Sequence, residues 1–441
     1  VTKVESPQLR LNEADDPYFR TLLKSGFVPP ARSAPASHKR LYDARVNVGN
    51  WVRKKLGGEA NRVDWLGRMF QFLNESAYVI HLTVPDDSNA FLIFETLNDR
   101  GLDLSIADLL KNYLLSRAGV EDLRSVLDLW IKAQDSLRAY GGEESFRVFL
   151  RHFWISKYET VRERDWYRKM KARITSRVSA VEFAQALADG SSLYAAILSP
   201  EHEYWEGAPS ECRDLLRIIH TLGLEQYRPM LLAAMERFPH EGVRDLLKAL
   251  VGWNVRLIVV GGLGGGTMES KYAELGQAIT NATLKTAAEV RARGRDFVPN
   301  DAAFEAAFST MFVPKLGLAR YYLGALERVR QGELQPELIP NDDPGMITLV
   351  PILPEKPEVK WPQFTEEEHD AYWKRIGNMV LLQQRVNSKL KSASFEDKKP
   401  RFASSQLLLT KEIAAYSMWD KAAIEARQRE LAKLAVKVWP V

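Results

Sequence analysis

The chain reads as an α+β protein that is predominantly α-helical, and three observations carry that reading. Apolar residues recur at spacings of three and four along most of its 441 residues, strand-like stretches are few, and a basic segment accompanied by tryptophans closes the chain. Spacings of three and four place side chains on one face of a helix, whereas strands alternate with a period of two.

Taken in order, the polar stretch Pro29 to His38, rich in Pro, Ala and Ser, reads as a surface loop. Ala77 to Val84 alternates as a strand does, and Ala90 to Phe94 is a short apolar run of strand type. Ser105 then stands as an N-cap, with Asp108 three residues on, before Ile106, Leu109, Leu110, Tyr113 and Leu114 on one helical face. Leu123, Val126, Leu127, Trp130 and Ile131 repeat that pattern, as do Leu215, Ile218, Ile219 and Leu222. Pro229 fits the first turn of a helix carrying Met230, Leu231, Ala234 and Met235. The most apolar stretch, Ala249 to Gly262, is interrupted by Asn254 and Arg256. It falls short of the roughly eighteen apolar residues of a membrane span and reads as a core helix. Gly261 to Thr267 is glycine-rich but lacks the Lys-Ser/Thr pair of a phosphate loop, so it reads as a connection between helices. Pro340-Asn341-Asp342-Asp343-Pro344-Gly345 forms a turn at a domain boundary, and Met346 to Leu353 follows as a third strand.

A length of 441 residues accommodates two or three domains, and 46% apolar with 27% charged residues is ordinary for a soluble globular chain. One cysteine, Cys212, excludes an internal disulfide and a Cys-rich zinc site; it suits a reducing cytoplasm and reads as a plain buried thiol. The N-terminus shows no signal-peptide pattern and begins without Met, as the interior of a longer chain would. The net charge of +4 hides an asymmetry: from Lys374 to Lys411 nine basic residues face two acidic ones, Glu396 and Asp397. Such a segment suits a phosphate-binding face, and a merely solvated surface gives the same count.

Two constellations carry chemistry. In Phe94-Glu95-Thr96-Leu97-Asn98-Asp99-Arg100-Gly101-Leu102-Asp103-Leu104-Ser105, Asn98 and Gly101 can make a tight turn, with Glu95, Asn98 and Arg100 clustered at its lip. Further on, Thr348-Leu349-Val350-Pro351-Ile352-Leu353-Pro354 precedes Arg375-Ile376-Gly377-Asn378-Met379-Val380-Leu381-Leu382, followed by Asn387, Phe395 and Lys398-Lys399. Trp361, Trp373, Trp419 and Trp439 accompany this region with spacing that suits the packing of a small domain.

The first string, continued through Asp108-Leu109-Leu110-Lys111-Asn112-Tyr113, resembles the end of the ParB-like domain of unknown function 262. The second resembles the domain of unknown function 1524, and together they are similar to GmrSD-type restriction systems, which act on modified or foreign DNA with nucleotide dependence. Leu9-Arg10-Leu11 with Asp15, Asp16 and Phe19, the helix Ala319 to Glu327, and the closing Trp419, Ile424, Arg427, Gln428 and Trp439 extend the likeness over nearly the whole chain. The resemblance implies the C-terminal part of a ParB-like domain over 1–118, a helical domain over 119–335, and over 336–441 a ββα domain of the HNH (His-Me-finger) nuclease type. It also implies DNA as a partner, a divalent metal (Mg or Mn) if the site is active, and a nucleotide. Two departures bear on function. The family's Asp-Gly-Gln-Gln-Arg motif is nowhere in the sequence, so nucleotide chemistry is not carried over to it and is expected only through an N-terminal part beyond it. The family's Glu-His is replaced by Val350-Pro351. An HNH nuclease uses that histidine as general base, and a proline side chain accepts no proton.

Asn378 and Asn387 therefore remain as the surviving catalytic positions of the resemblance, for positioning a metal or for capping structure. Lys374, Arg375, Arg385, Lys389, Lys398 and Lys399 are the expected DNA-phosphate contacts, while Glu95, Asn98, Arg100 and Gly101 are the nucleotide-domain motif. Of seven histidines, His369 in the acidic run Glu366 to Asp370 is nearest the site, and that run reads as a solvated helix start. The expectation is a DNA-targeting restriction-like protein whose nuclease domain is impaired. A noncatalytic DNA- or protein-binding scaffold, with self-association as one form of it, is the alternative; neither reading involves a membrane.

Overall fold

Helix follows from the three-and-four spacing throughout the computed structural model, which describes residues 10–11, 15–25, 29–31, 34–57, 62–78, 106–261, 263–333, 347–356, 361–383 and 393–441. The chain divides into two compact units, Val1–Val84 and Pro85–Val441.

In the first unit, α1 (Asp16–Ser25) and α2 (Ala36–Gly57) are joined by polar contacts near their starts. Ser37 donates to Asp15 at 2.6 Å, and His38 stacks on Tyr18 with ring centroids 4.5 Å apart. The Asp16 carboxylate accepts from Arg20 and from the Leu11 amide, which holds it below the usual carboxylate range. The expected loop from Pro29 to His38 is shorter than the composition suggests, because Ala36, Ser37 and His38 already belong to α2. The third helix, α3 (Arg62–Glu75), buries none of its described side chains. Ala77 and Tyr78 lie outside any strand, and the rest of both strand-like runs, with Glu95, Asn98, Arg100, Gly101 and Ser105, lies outside the described residues.

The second unit opens with α4 (Ile106–Leu137), which unites the two apolar patterns expected around Leu110 and Trp130. They are separated by Gly119 at φ 66°, ψ 178°, a conformation essentially reserved for glycine, so the helix changes direction there. Leu110, Tyr113, Leu114, Val126 and Trp130 are buried as the spacing predicts. Ile131 is not: it is 42% exposed, because the inward line runs Val126, Trp130, Ala133, Leu137 and leaves it about 130° away.

There follow α5 (Gly142–Lys157), α6 (Glu163–Arg173), α7 (Arg177–Leu198), α8 (Glu211–Leu222), α9 (Arg228–Arg237), α10 (His240–Val260), α11 (Gly265–Thr280), α12 (Ala287–Gly294), α13 (Asp301–Phe308) and α14 (Leu316–Arg330). Pro229 sits in the first turn of α9, and Leu215, Ile218, Ile219 and Leu222 of α8 are all buried. Cys212 is fully buried, and that burial pushes its thiol up to about 11. Gly261 to Thr267 joins α10 to α11, with Gly265, Gly266 and Thr267 already in the first turn of α11. The stretch Ala249 to Val260 is buried in α10 up to Leu257, and no helix among the described residues is long and apolar enough to cross a membrane.

Two polar residues interrupt α10, and each has found a partner. The Asn254 carboxamide accepts from the Tyr272 hydroxyl at 3.1 Å. The fully buried Arg256 guanidinium donates to the carbonyls of Trp439 (2.6 Å) and Pro299 (2.9 Å) and to Asp301 (2.5 Å). A buried guanidinium is tolerated where its donors are met in this way. The core helix and the end of the chain are thereby pinned together.

The remaining elements are β1 (Ile347–Pro351), α15 (Glu366–Tyr372), β2 (Met379–Gln383), α16 (Phe395–Ala403), α17 (Leu408–Lys411) and α18 (Lys421–Val438). The strands pair antiparallel in the register Ile347 with Gln383 to Pro351 with Met379. Alternation sends Val350, Val380 and Leu382 into a small core with Ile352, Leu353, Trp361, Tyr372, Phe395, Phe402, Trp419 and Ile424. Ile347, Leu349, Met379 and Leu381 face the other way, onto the large helical core that also holds Trp439. Both faces are covered, which explains why Met379 to Leu382 reads as an unbroken apolar run. Trp361, Trp419 and Trp439 are buried as core residues, in line with their spacing.

One buried histidine makes the helical core sensitive to acid. His152 of α5 bonds the Tyr194 hydroxyl at 2.7 Å, and burial, with Arg228 and Arg151 nearby, lowers its pKa from 6.5 to about 3. Its unfolded form takes up a proton near 6.5 while the folded form does not, so stability is lost as pH falls from there toward 3. Replacing His152 with Phe should remove about 1.4 kcal/mol per pH unit of that acid sensitivity. Urea unfolding of both proteins across this range measures it.

Candidate functional site

Everything at the site is organised around the turn between α15 and β2. Thr365 caps α15 through a reciprocal box with Glu368, so the acidic run is a capped helix start. His369 donates from Nε2 to the Pro354 carbonyl at 2.8 Å and ties α15 to the segment leaving β1. That bond gives it an anchoring task.

Asn378 is fully buried. Its carboxamide oxygen accepts from the Leu353 amide (2.8 Å) and the Trp419 indole (2.9 Å). Its amide nitrogen donates to the carbonyls of Leu353 (2.9 Å) and Trp373 (3.0 Å). Two donors and two acceptor positions are all a carboxamide has. The side chain pairs with Leu353 as a strand residue would and extends the ladder beyond Pro351, where the Ile352 amide donates to the Asn378 carbonyl at 2.8 Å. All four hydrogen-bonding positions of the Asn378 carboxamide are thus met by protein groups.

Gly377 is required by close approach. A Cβ there would lie 2.6 Å from the Ile424 carbonyl and 2.8 Å from the Gln428 Cβ, both on α18. From the same helix Arg427 donates to the carbonyls of Gly377 (2.6 Å) and Met379 (2.8 Å). Gln428 donates to the carbonyls of Phe308 (2.9 Å) and Met311 (2.8 Å). The terminal helix thus grips the Gly-Asn turn and binds it to the end of α13.

At the position of the expected general base, Pro351 is half-buried at the end of β1, opposite Met379. Val350 is buried in the small core. Lys398, expected among the phosphate contacts, is instead 0% exposed. Its ammonium donates to the carbonyls of Ile352 (2.8 Å) and Pro351 (3.4 Å), and desolvation lowers its pKa to about 8. A lysine folded inward onto backbone carbonyls is removed from the surface, which corrects the expectation for this residue. Lys374, Arg375 and Lys399 are half-exposed, each close to an aromatic ring: Trp373 at 4.4 Å, Tyr372 at 4.2 Å and Phe395 at 5.9 Å. Arg385, Asn387 and Lys389 lie outside the described residues.

Residues 342–434, which hold the strands, the Gly-Asn turn and most of α18, match the family model of the GmrSD restriction endonucleases, C-terminal domain. This stretch is similar to a GmrSD-type C-terminal domain. No curated protein matches it. Within the GmrSD-type domain the framework is intact: strands in register, the Gly-Asn turn clamped, Lys398 holding the exit of β1. The divalent metal that the nuclease family generally implies is not fitted by the described residues. Val350 and Pro351 offer no side-chain ligand, the Asn378 oxygen is already doubly bonded, and no group of three His, Cys, Asp or Glu converges among the described residues. Sequence reasoning misses Arg427 and Gln428 as the residues that position the turn. Their one local signal is a polar pair on a helix otherwise apolar on that face.

Gly377→Ala should destabilise the protein by about 1–3 kcal/mol, because the added methyl meets α18 backbone. Thermal unfolding beside an exposed Gly-to-Ala control gives the comparison. For Lys398 the folded state sheds its proton near 8 and the unfolded state near 10.5, so the penalty of burying the charge is present below 8 and is relieved as pH rises between these values. Stability relative to Lys398→Met should therefore rise from pH 7.5 to about pH 10, read by urea unfolding.

Proposed function

We propose that this protein is a DNA-directed, restriction-type protein whose HNH-like domain keeps its fold but has lost ordinary hydrolytic chemistry. The C-terminal domain belongs to a restriction-type nuclease family, and that is the starting point. The observation that carries the rest is Pro351, which stands where the resemblance implies a histidine; it lies in strand register opposite Met379 with no group able to take a proton. Loss of a general base lowers rate by about 10²–10⁴-fold. Nor do the donors among the described residues fit a divalent ion that could activate water in its place.

Lys374, Arg375 and Lys399 support DNA as the partner, as half-exposed cations of the basic segment. Contacts of this kind add affinity through phosphate neutralisation and little sequence choice. On the resemblance of Phe94 to Tyr113, residues 1–118 are proposed as the C-terminal part of a ParB-like domain, and the single cysteine favours the cytoplasm. A second reading, a noncatalytic subunit that holds DNA or a partner protein, is favoured by the saturated carboxamide of Asn378, which leaves the turn a structural task.

Plasmid nicking with Mg²⁺ or Mn²⁺, on modified and unmodified DNA, separates these readings. Pro351→His, alone and with Val350→Glu, is assayed beside the parent, with circular dichroism to verify folding because Val350 is buried. Cutting by a folded revertant and not by the parent is the expected result. Metal-dependent cutting by the parent overturns the assignment of Pro351. If the parent binds DNA without cutting it, Arg375→Ala and Lys399→Ala should each weaken binding and reduce the salt slope by about 1.

A further inference from the structure

Away from the Gly-Asn turn, α14, α17 and α18 enclose a cavity of about 350 Å³. Its apolar wall is formed by Leu409, Leu431 and Leu434, with Tyr416 beside them. The same cavity is lined by Arg330, Arg427, Lys433 and Lys437, against the carboxylates of Glu412 and Glu430. Arg330 and Lys433 are each paired with one of those acids, at 2.6 and 2.8 Å.

Arg427 is different. It is 5% exposed, and its Nη1 is committed to the carbonyls of Gly377 and Met379. Its Nη2 is buried and has no hydrogen-bond partner among the described residues. A buried guanidinium ordinarily has an acceptor for each nitrogen, because an unmet donor on a charged group costs more than one on a neutral group. Desolvation lowers the Arg427 pKa to about 10, as expected for a buried cation lacking a bonded counter-ion. Tyr416, half-buried on the same wall, is pushed upward by its own burial and does not supply an anion near neutral pH.

We infer that this cavity is a binding site for a small organic anion, with its oxyanion on Arg427 and its apolar body against Leu409, Leu431 and Leu434. Carboxylate and phosphate share the chemistry required: an oxygen acceptor for Nη2 and a negative charge for a lining of four cations against two acids. The cavity is large enough for one ring-sized ligand, at the lower end of small-molecule sites. Lys433 and Lys437, both exposed at the rim, face the incoming charge.

Isothermal titration of the full chain with benzoate, phenyl phosphate and inorganic phosphate tests the site. Expected is saturable one-to-one binding of benzoate or phenyl phosphate, at least tenfold tighter than inorganic phosphate. Arg427→Lys should weaken it tenfold or more. Because Arg427 also holds the Gly-Asn turn, the double rim variant Lys433→Glu/Lys437→Glu accompanies it and should lose binding while unfolding as the parent does. The identity of the tighter aromatic probe tells carboxylate from phosphate. Absence of saturable binding by both aromatic probes, inorganic phosphate binding as tightly as either, or unchanged affinity in the rim variant overturns the proposal.

Discussion

One carboxamide bears the C-terminal architecture. Asn378 pairs with both backbone groups of Leu353, takes the Trp419 indole, and closes on Trp373, all without exposure to water. Each such bond contributes about 1 kcal/mol net, but leaving a buried group unmet costs about 1–3 kcal/mol, so the four act as a condition on folding. The arrangement requires the neighbouring glycine, since α18 approaches so closely that no side chain fits at Gly377. It requires Arg427 and Gln428 in turn, which fasten the turn to the helix and the helix to Phe308 and Met311.

These framework residues are separate from the residues that would do chemistry. Val350 sits in the small core as an apolar strand residue should, and Pro351 lies in a strand paired on one side only, where a missing N–H is tolerated. On the proposed reading, a general base could be replaced at this position without disturbing the register, the clamp or the buried Lys398. A fold held by one set of side chains can outlast the loss of another set that only acted on substrate.

Much of the helical body is legible because periodicity reports burial directly. The apolar line of α8, the proline opening α9, the long core helix α10 and the capped acidic start of α15 all follow from local spacing. Three features are not legible, for a common reason. Gly119 leaves no mark on the apolar spacing, and its role lies in a glycine-only backbone conformation set by the elements on either side. Lys398 counts with the surface charges because lysine is rarely buried, and its carbonyl partners lie 46 and 47 residues away. Gln428 and Arg427 reach back 48 to 120 residues for theirs. Local pattern fixes which face turns inward, and it says nothing of which distant group waits there.

The two-sided burial of the β ribbon has a consequence for modularity. One face of β1 and β2 rests on the small core and the other on the helical body, with Arg256 of α10 fastened to the carbonyl of Trp439. A segment that family comparison delimits as a module is therefore not an interchangeable part in this chain. Transplanted to another protein, it would carry Leu349, Met379 and Leu381 uncovered unless the host supplied a matching helical surface. The ribbon and the helices that cover it therefore form one packing unit, and a change of volume on either side of that contact is felt on the other.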